Sequence, residues 1–151
     1  MLAFDVRVAR RFGEHLDLWR GATVAKWRKT AAGLAPTFSR TDIFGALARA
    51  GEEFAGKSAR KRLVVLSDMR HAGRGFNLER PVDDPILLAN RVAEAALVPR
   101  LDGVAVSALG VHASGIDERQ WGKLRTFWTE YFRRAGAELE TFTQNRTMPH
   151  R

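Results

Sequence analysis

Apolar residues recur along this chain in two ways, at steps of three or four in long stretches and as short uninterrupted runs. The first pattern is typical of helices with one buried face, and the second of strands in a parallel sheet. The helices predicted in this way cover about residues 16–34, 42–56, 85–98 and 117–136, and the predicted strands cover 2–9, 63–66, 104–111 and 137–142.

Local signals support several of these boundaries. Pro36 stops the first helix, Asp84-Pro85 supplies an N-cap followed by a proline at the first helical position, and Asp117 and Gly136 flank the last helix. The order strand, helix, helix, strand, helix, strand, helix, strand predicts right-handed crossovers. We therefore expect an α/β fold with a mostly parallel, Rossmann-like open sheet and helices on both faces.

The length of the chain and its loops indicate where a site would lie. A chain of 151 residues suits one domain, so we expect residues 1–151 to form a single domain with an irregular tail at 143–151. Glycines, a proline and several charges predict a long irregular loop at 69–84. Because this loop follows the carboxyl end of the strand at 63–66, where α/β proteins place their sites, we expect function there.

The chain is strongly basic. The chain has 25 Lys and Arg against 17 Asp and Glu, which gives a net charge of +8 and a pI near 10.9. This surplus raises the chance of nucleic acid as a partner, although the charges are scattered and also fit an ordinary solvated surface.

The absence of cysteine and of long apolar runs excludes several classes. With no cysteine the chain can form no disulfide and no thiolate metal site, so a bound metal must rest on oxygen or imidazole ligands. The runs 63–66 and 104–111 are far too short to cross a bilayer. We expect no membrane partner and a cytoplasmic protein.

Two motifs resemble those of a known family. The segment 39–47, Ser-Arg-Thr-Asp-Ile-Phe-Gly-Ala-Leu, is followed by 62–68, Arg-Leu-Val-Val-Leu-Ser-Asp. Together they resemble the second and third motifs of the von Willebrand factor type A (vWA) family, and the resemblance covers about residues 37–142. It implies that Thr41 and Asp68 belong to a metal-ion-dependent adhesion site, where their oxygens suit Mg²⁺.

The first motif of that family, Asp-x-Ser-x-Ser, does not occur before Thr41. Two interpretations stay open: the chain is part of a longer protein, or it is a degenerate relative with an incomplete metal site. In the family the missing strand lies next to the strand resembled by 63–66. Its loss would leave strand edges unpaired, so we expect the strands to close up or to pair with a neighbour through homo-oligomers or strand exchange.

Each candidate residue also has a structural interpretation. Thr41 is one of several N-cap candidates in the segment Ser39-Arg40-Thr41-Asp42, and Asp68 could pair or cap instead of binding metal. His71 and His112 follow two strands and suggest a zinc or hydrolase site, but their spacing favours ordinary loop histidines. The aromatic residues of the last helix favour core packing over base stacking; they are Trp121, Phe127, Trp128, Tyr131 and Phe132.

The sequence thus supports a non-enzymatic, vWA-like module that binds a protein partner, with no catalytic residue and no organic cofactor. The alternatives are a metal-dependent hydrolase or nuclease that uses the 68–75 loop and the basic surface, and electrostatic binding of nucleic acid without chemistry. The Gly73-Arg74-Gly75 segment is only a weak match to a phosphate-binding loop.

Overall fold

A computed structural model describes residues 16–33, 40–111, 115 and 117–147. The chain divides into two compact units, Met1–Ser39 and Arg40–Arg151. The first contains helix α1, Leu16–Ala32. The elements of the second are α2 (Ile43–Phe54), β1 (Lys61–Leu66), β2 (Ala72–Gly73), β3 (Phe76–Asn77), α3 (Pro85–Glu94), β4 (Val104–Leu109), α4 (Glu118–Arg134) and β5 (Glu138–Thr143).

The larger unit is built on a three-stranded parallel sheet in the order β1-β4-β5. Strand β1 runs in register with β4 from Lys61 opposite Val104 to Leu66 opposite Leu109. Between β4 and β5 the register shifts after Val106, so that Glu140 has no directly opposed residue. The prediction of an α/β fold with parallel strands is therefore confirmed.

Acidic residues begin three of the helices. The Asp42 carboxylate accepts a hydrogen bond from the Gly45 N–H, the Asp84 carboxylate from the Ile86 and Leu87 N–H groups, and the Asp117 carboxylate from the Gln120 N–H. The Asp84 and Asp117 caps are as predicted. Thr41 as the cap of α2 is wrong, because Asp42 stands directly before the first helical residue and its carboxylate reaches the third amide.

A single core joins these helices to the sheet. The Phe44 ring lies 5.3 Å from Tyr131 and 5.8 Å from Trp128, so the start of α2 packs against the middle of α4. Leu63 and Val65 of β1 pack against the same core. The aromatic residues predicted to be core are confirmed as core: Phe127, Trp128, Tyr131 and Phe132 have no exposed surface, and Trp121 packs at the margin.

The opposite face of β1 carries exposed side chains. Val64 and Leu66 point away from the core and are 48% and 65% exposed. Among the described residues of this unit, α2, α3 and α4 share the core on the other face. The prediction of helices on both faces is thus confirmed for one face.

Other elements differ in detail from the sequence-based prediction. The loop predicted at 69–84 contains the short antiparallel hairpin β2-β3. The strand predicted at 2–9 lies outside the described residues. Within the described part of the chain, no helix has the length and apolar character needed to cross a membrane.

Helix α3 ends at Glu94, before the predicted boundary at Pro99. Ala96 adopts a left-handed conformation with φ of 56°, and the Leu97 N–H donates to the Val92 carbonyl. This arrangement closes a helix and favours glycine at the left-handed position.

We predict that Ala96→Gly raises the free energy of unfolding by about 0.5–1 kcal/mol, because it relieves left-handed strain that exceeds the entropy glycine adds to the unfolded chain. Ala93→Gly, inside the same helix, is the matched control and should lower it by about 1 kcal/mol. Urea denaturation followed by circular dichroism measures both, and equal signs for the two variants would contradict the assignment.

Candidate functional site

The predicted site lies at the carboxyl end of β1. Ser67 continues the strand, and its N–H donates to the Leu109 carbonyl at 3.1 Å. The chain then turns: the Met69 N–H donates to Ser67 Oγ at 3.0 Å, and the Arg70 N–H donates to Asp68 Oδ1 at 3.0 Å. The Asp68 carboxylate is part-buried and is fixed at this turn by one of its two oxygens.

Thr41 lies in a segment that is bonded directly to the loop after Asp68. The Ala72 N–H donates to the Thr41 carbonyl at 3.0 Å, and the Ile43 N–H donates to His71 Nδ1 at 3.1 Å. The Thr41 side chain is exposed. The two predicted ligands therefore lie in neighbouring, hydrogen-bonded segments, although no hydrogen bond joins their side chains among the described residues.

His71 occupies the centre of this arrangement and has no exposed surface. Its Nδ1 accepts from Ile43, its Nε2 lies 2.8 Å from the Gly73 carbonyl, and its ring stacks on Phe44 at 3.9 Å. These partners require a neutral ring that carries its proton on Nε2. Burial lowers the pKa of His71 below 6.5, although the Gly73 carbonyl and the Asp42 carboxylate act in the opposite direction.

Both nitrogens of His71 are thus engaged, which leaves neither for a metal ion or for base catalysis. His71 therefore cannot act as the catalytic base in the hydrolase alternative. Its second histidine, His112, lies outside the described residues. A buried histidine that caps a helix was not foreseen from the sequence, and only its position just after a strand gave a hint.

Asp42 and Arg74 form the exposed rim of the same region. Arg74 Nε donates to both carboxylate oxygens of Asp42, at 3.0 and 2.9 Å. Partial burial raises the pKa of Asp42, but the Gly45 N–H and the Arg74 guanidinium outweigh it and hold that pKa below 3.8. A Cβ added at Gly45 would collide with the Asp42 carboxylate and the Arg74 guanidinium, so a side chain there would displace this ion pair.

Gly73-Arg74-Gly75 forms the tip of the β2-β3 hairpin. Arg74 and Gly75 have φ of 49° and 80°, as in the left-handed turns that connect short hairpins. Since the Arg74 side chain is committed to Asp42, this segment is better explained as a turn than as a phosphate-binding loop.

The oxygen groups near β1 fit a Mg²⁺ ion only in part. Asp68 supplies one carboxylate, and Thr41 and Ser67 supply hydroxyls on the adjoining segments. Within the described residues, no cluster of three His, Asp or Glu side chains could hold a metal ion. Any Mg²⁺ bound here would therefore keep several waters or take ligands from a partner.

Comparison of the chain with family models, with curated proteins and with solved structures finds no match in any of the three. The architecture is that of a Rossmann-like α/β unit, a plan that serves many functions.

We predict that the protein loses stability as the pH falls below about 6.5, the ordinary pKa of histidine. The neutral ring is required in the folded state, so the unfolded state binds the additional proton and the free energy of unfolding declines with falling pH. Asp42 contributes its own loss only at lower pH, below its ordinary value of 3.8, because its pKa is lowered by folding.

His71→Asn is the informative variant, because its carbonyl can accept from Ile43 without titrating. Its free energy of unfolding should be nearly constant from pH 7 to 5, whereas His71→Phe should lose about 1–3 kcal/mol at every pH through the unsatisfied amide. Denaturant titrations at several pH values measure this. A wild-type protein as flat as His71→Asn would contradict the assignment.

Proposed function

We propose that this chain is a vWA-like protein-interaction module whose contact region is the loop edge that carries Thr41 and Asp68. The observation that supports the proposal is the pair of hydrogen bonds, from Ala72 to Thr41 and from Ile43 to His71, that join the two segments. Loops fixed to each other in this way present their exposed groups in a constant arrangement, as recognition requires.

The chemistry proposed for this edge is a bridge between the module and a carboxylate of the partner. Asp68 retains one carboxylate oxygen beyond its bond to Arg70, and the Thr41 side chain is exposed. Mg²⁺ bound to one protein carboxylate and to waters can exchange a water for a partner's carboxylate. The module itself performs no reaction in this proposal.

Calorimetric titration with Mg²⁺ or Mn²⁺ tests the metal contact. We expect Asp68→Asn to weaken binding at least about tenfold, equivalent to about 1.4 kcal/mol, because the carboxylate is the principal charged ligand. Thr41→Ala should weaken it less. Glu94→Gln removes the same charge from the exposed end of α3 and is the matched control.

Acetate added to the titration serves as a minimal carboxylate probe. Because acetate supplies a further ligand to the bound metal ion, the protein should bind the metal more tightly when acetate is present. Equal heats for the wild type and Asp68→Asn would contradict the proposal.

Nucleic-acid binding is a second candidate, favoured by one feature of α1. Lys26, Arg28 and Lys29 are exposed on this helix, and Trp27 among them is 47% exposed. Exposed cations interleaved with an aromatic ring suit contact with phosphates and an unpaired base.

For this candidate we predict that replacing Lys26, Arg28 and Lys29 with alanine makes oligonucleotide binding less sensitive to salt. The slope of log affinity against log salt concentration should become shallower by about 2–3. The matched control replaces three exposed arginines of the other unit, Arg91, Arg100 and Arg125. Fluorescence anisotropy at several salt concentrations measures the slopes. The same loss in both triple variants would mean that only net charge matters and would exclude α1 as the contact.

A further inference from the structure

Strand β1 presents one edge that the described residues do not pair. It forms a ladder with β4 on one side, and among the described residues it has no other neighbour. The Ser67 N–H points to β4, where it donates to Leu109. Because successive residues of a strand alternate in direction, Arg62, Val64 and Leu66 direct their N–H and C=O groups to the other edge.

The same three residues are exposed through their side chains. Val64 and Leu66 are 48% and 65% exposed, on the face away from the helices, and Arg62 lies beside them. Backbone donors and acceptors in a row, accompanied by exposed apolar side chains, are what strand addition requires.

The charges that flank β1 indicate which strand fits. Arg60, Lys61 and Arg62 stand at its amino end, and Asp68 stands just past its carboxyl end. In an antiparallel pair of two such strands, each basic end lies beside the acidic end of the other. A parallel copy would place the basic ends together, which is unfavourable for like charges.

We infer that β1 pairs with β1 of a second copy of this chain, antiparallel and about a two-fold axis at Val64, to form a continuous six-stranded sheet. Arg62 then lies opposite Leu66 of the second copy, and Arg60 lies opposite Asp68. The two Val64 side chains meet at the axis.

The register follows from the alternation of the strand. A centre at Val64 pairs even-numbered residues with even-numbered ones, so outward donors meet outward acceptors and form about six backbone hydrogen bonds. A shift of one residue would oppose outward groups to inward groups and exposed side chains to core side chains. The pairing requires neither Mg²⁺ nor the Thr41 segment and uses Asp68 only as a charge opposite Arg60, so it does not rest on the function proposed above.

Cysteine cross-linking tests the axis directly, because the chain contains no cysteine of its own. The Cα atoms of a hydrogen-bonded antiparallel pair lie about 5.5 Å apart, within the range that a disulfide spans. Under mild oxidation Val64→Cys should give a covalent dimer, and Leu66→Cys, displaced from the axis, should react more slowly. Thr129→Cys, on the exposed surface of α4, measures random collision. A Val64→Cys rate no higher than that of Thr129→Cys would overturn the inference.

Charge reversal tests the partner and the direction, with sedimentation velocity in EDTA as the measurement. The wild type should be dimeric, and Arg60→Glu and Asp68→Lys should each dimerise about tenfold more weakly because two like-charged contacts oppose pairing. A mixture of the two variants should restore the dimer, because both contacts become attractive. Circular dichroism checks that each variant is folded.

Two results would refute this antiparallel self-pairing. A monomeric wild type at the highest soluble concentration would mean that another strand, from this chain or from a different protein, covers the edge. A mixture that stays monomeric while the wild type is dimeric would place the dimer contact elsewhere. Both results are obtained in EDTA, so neither depends on whether Mg²⁺ binds at Asp68.

Discussion

The bond from the Ile43 N–H to His71 Nδ1 holds the candidate site together. The first amide of α2 is buried, and a buried amide without an acceptor would cost about 1–3 kcal/mol. The same ring donates through Nε2 to Gly73, on the first strand of the hairpin, and stacks on Phe44. One neutral side chain therefore fixes a helix start, a loop and a hairpin, and the position of Thr41 follows from it.

The topology of the sheet determines which surfaces stay open. The strands follow each other in one direction, β1 to β4 to β5, and right-handed crossovers in a single direction place α3 and α4 on the same face. Val64 and Leu66 lie on the other face because the strand alternates, while Leu63 and Val65 enter the core. The exposure of these two residues is thus a consequence of chain order.

The sequence predicted the elements that local patterns determine. Asp84 and Asp117 were recognised as caps because a cap requires only a side chain and the amides two or three residues later. The buried aromatic residues of α4 were recognised from their helical spacing. The capping of α2 by Asp42 in place of Thr41 is a difference of one residue, which is the usual limit of boundary prediction.

The parts that sequence patterns missed depend on contacts between distant segments. His71 and Ile43 are 28 positions apart, and Arg74 and Asp42 are 32 apart, so no local period reveals either pair. These two contacts determine the geometry of the site, and no sequence motif predicts them. The roles of Thr41 and Asp68 as metal ligands remain predictions, because they rest on a resemblance whose first motif is absent from the chain.

Asp68 links the two proposals in a way that has a thermodynamic consequence. The carboxylate that would bind Mg²⁺ is also the one that would face Arg60 of a second copy. If both contacts form, each competes for the same charge, so metal binding weakens pairing and pairing weakens metal binding by the same factor. Arg60 of the second copy then occupies the place beside Asp68 that Mg²⁺ would otherwise take. When Mg²⁺ is present, the pairing between copies would give way to a Mg²⁺ bridge from Asp68 to a carboxylate of the partner protein.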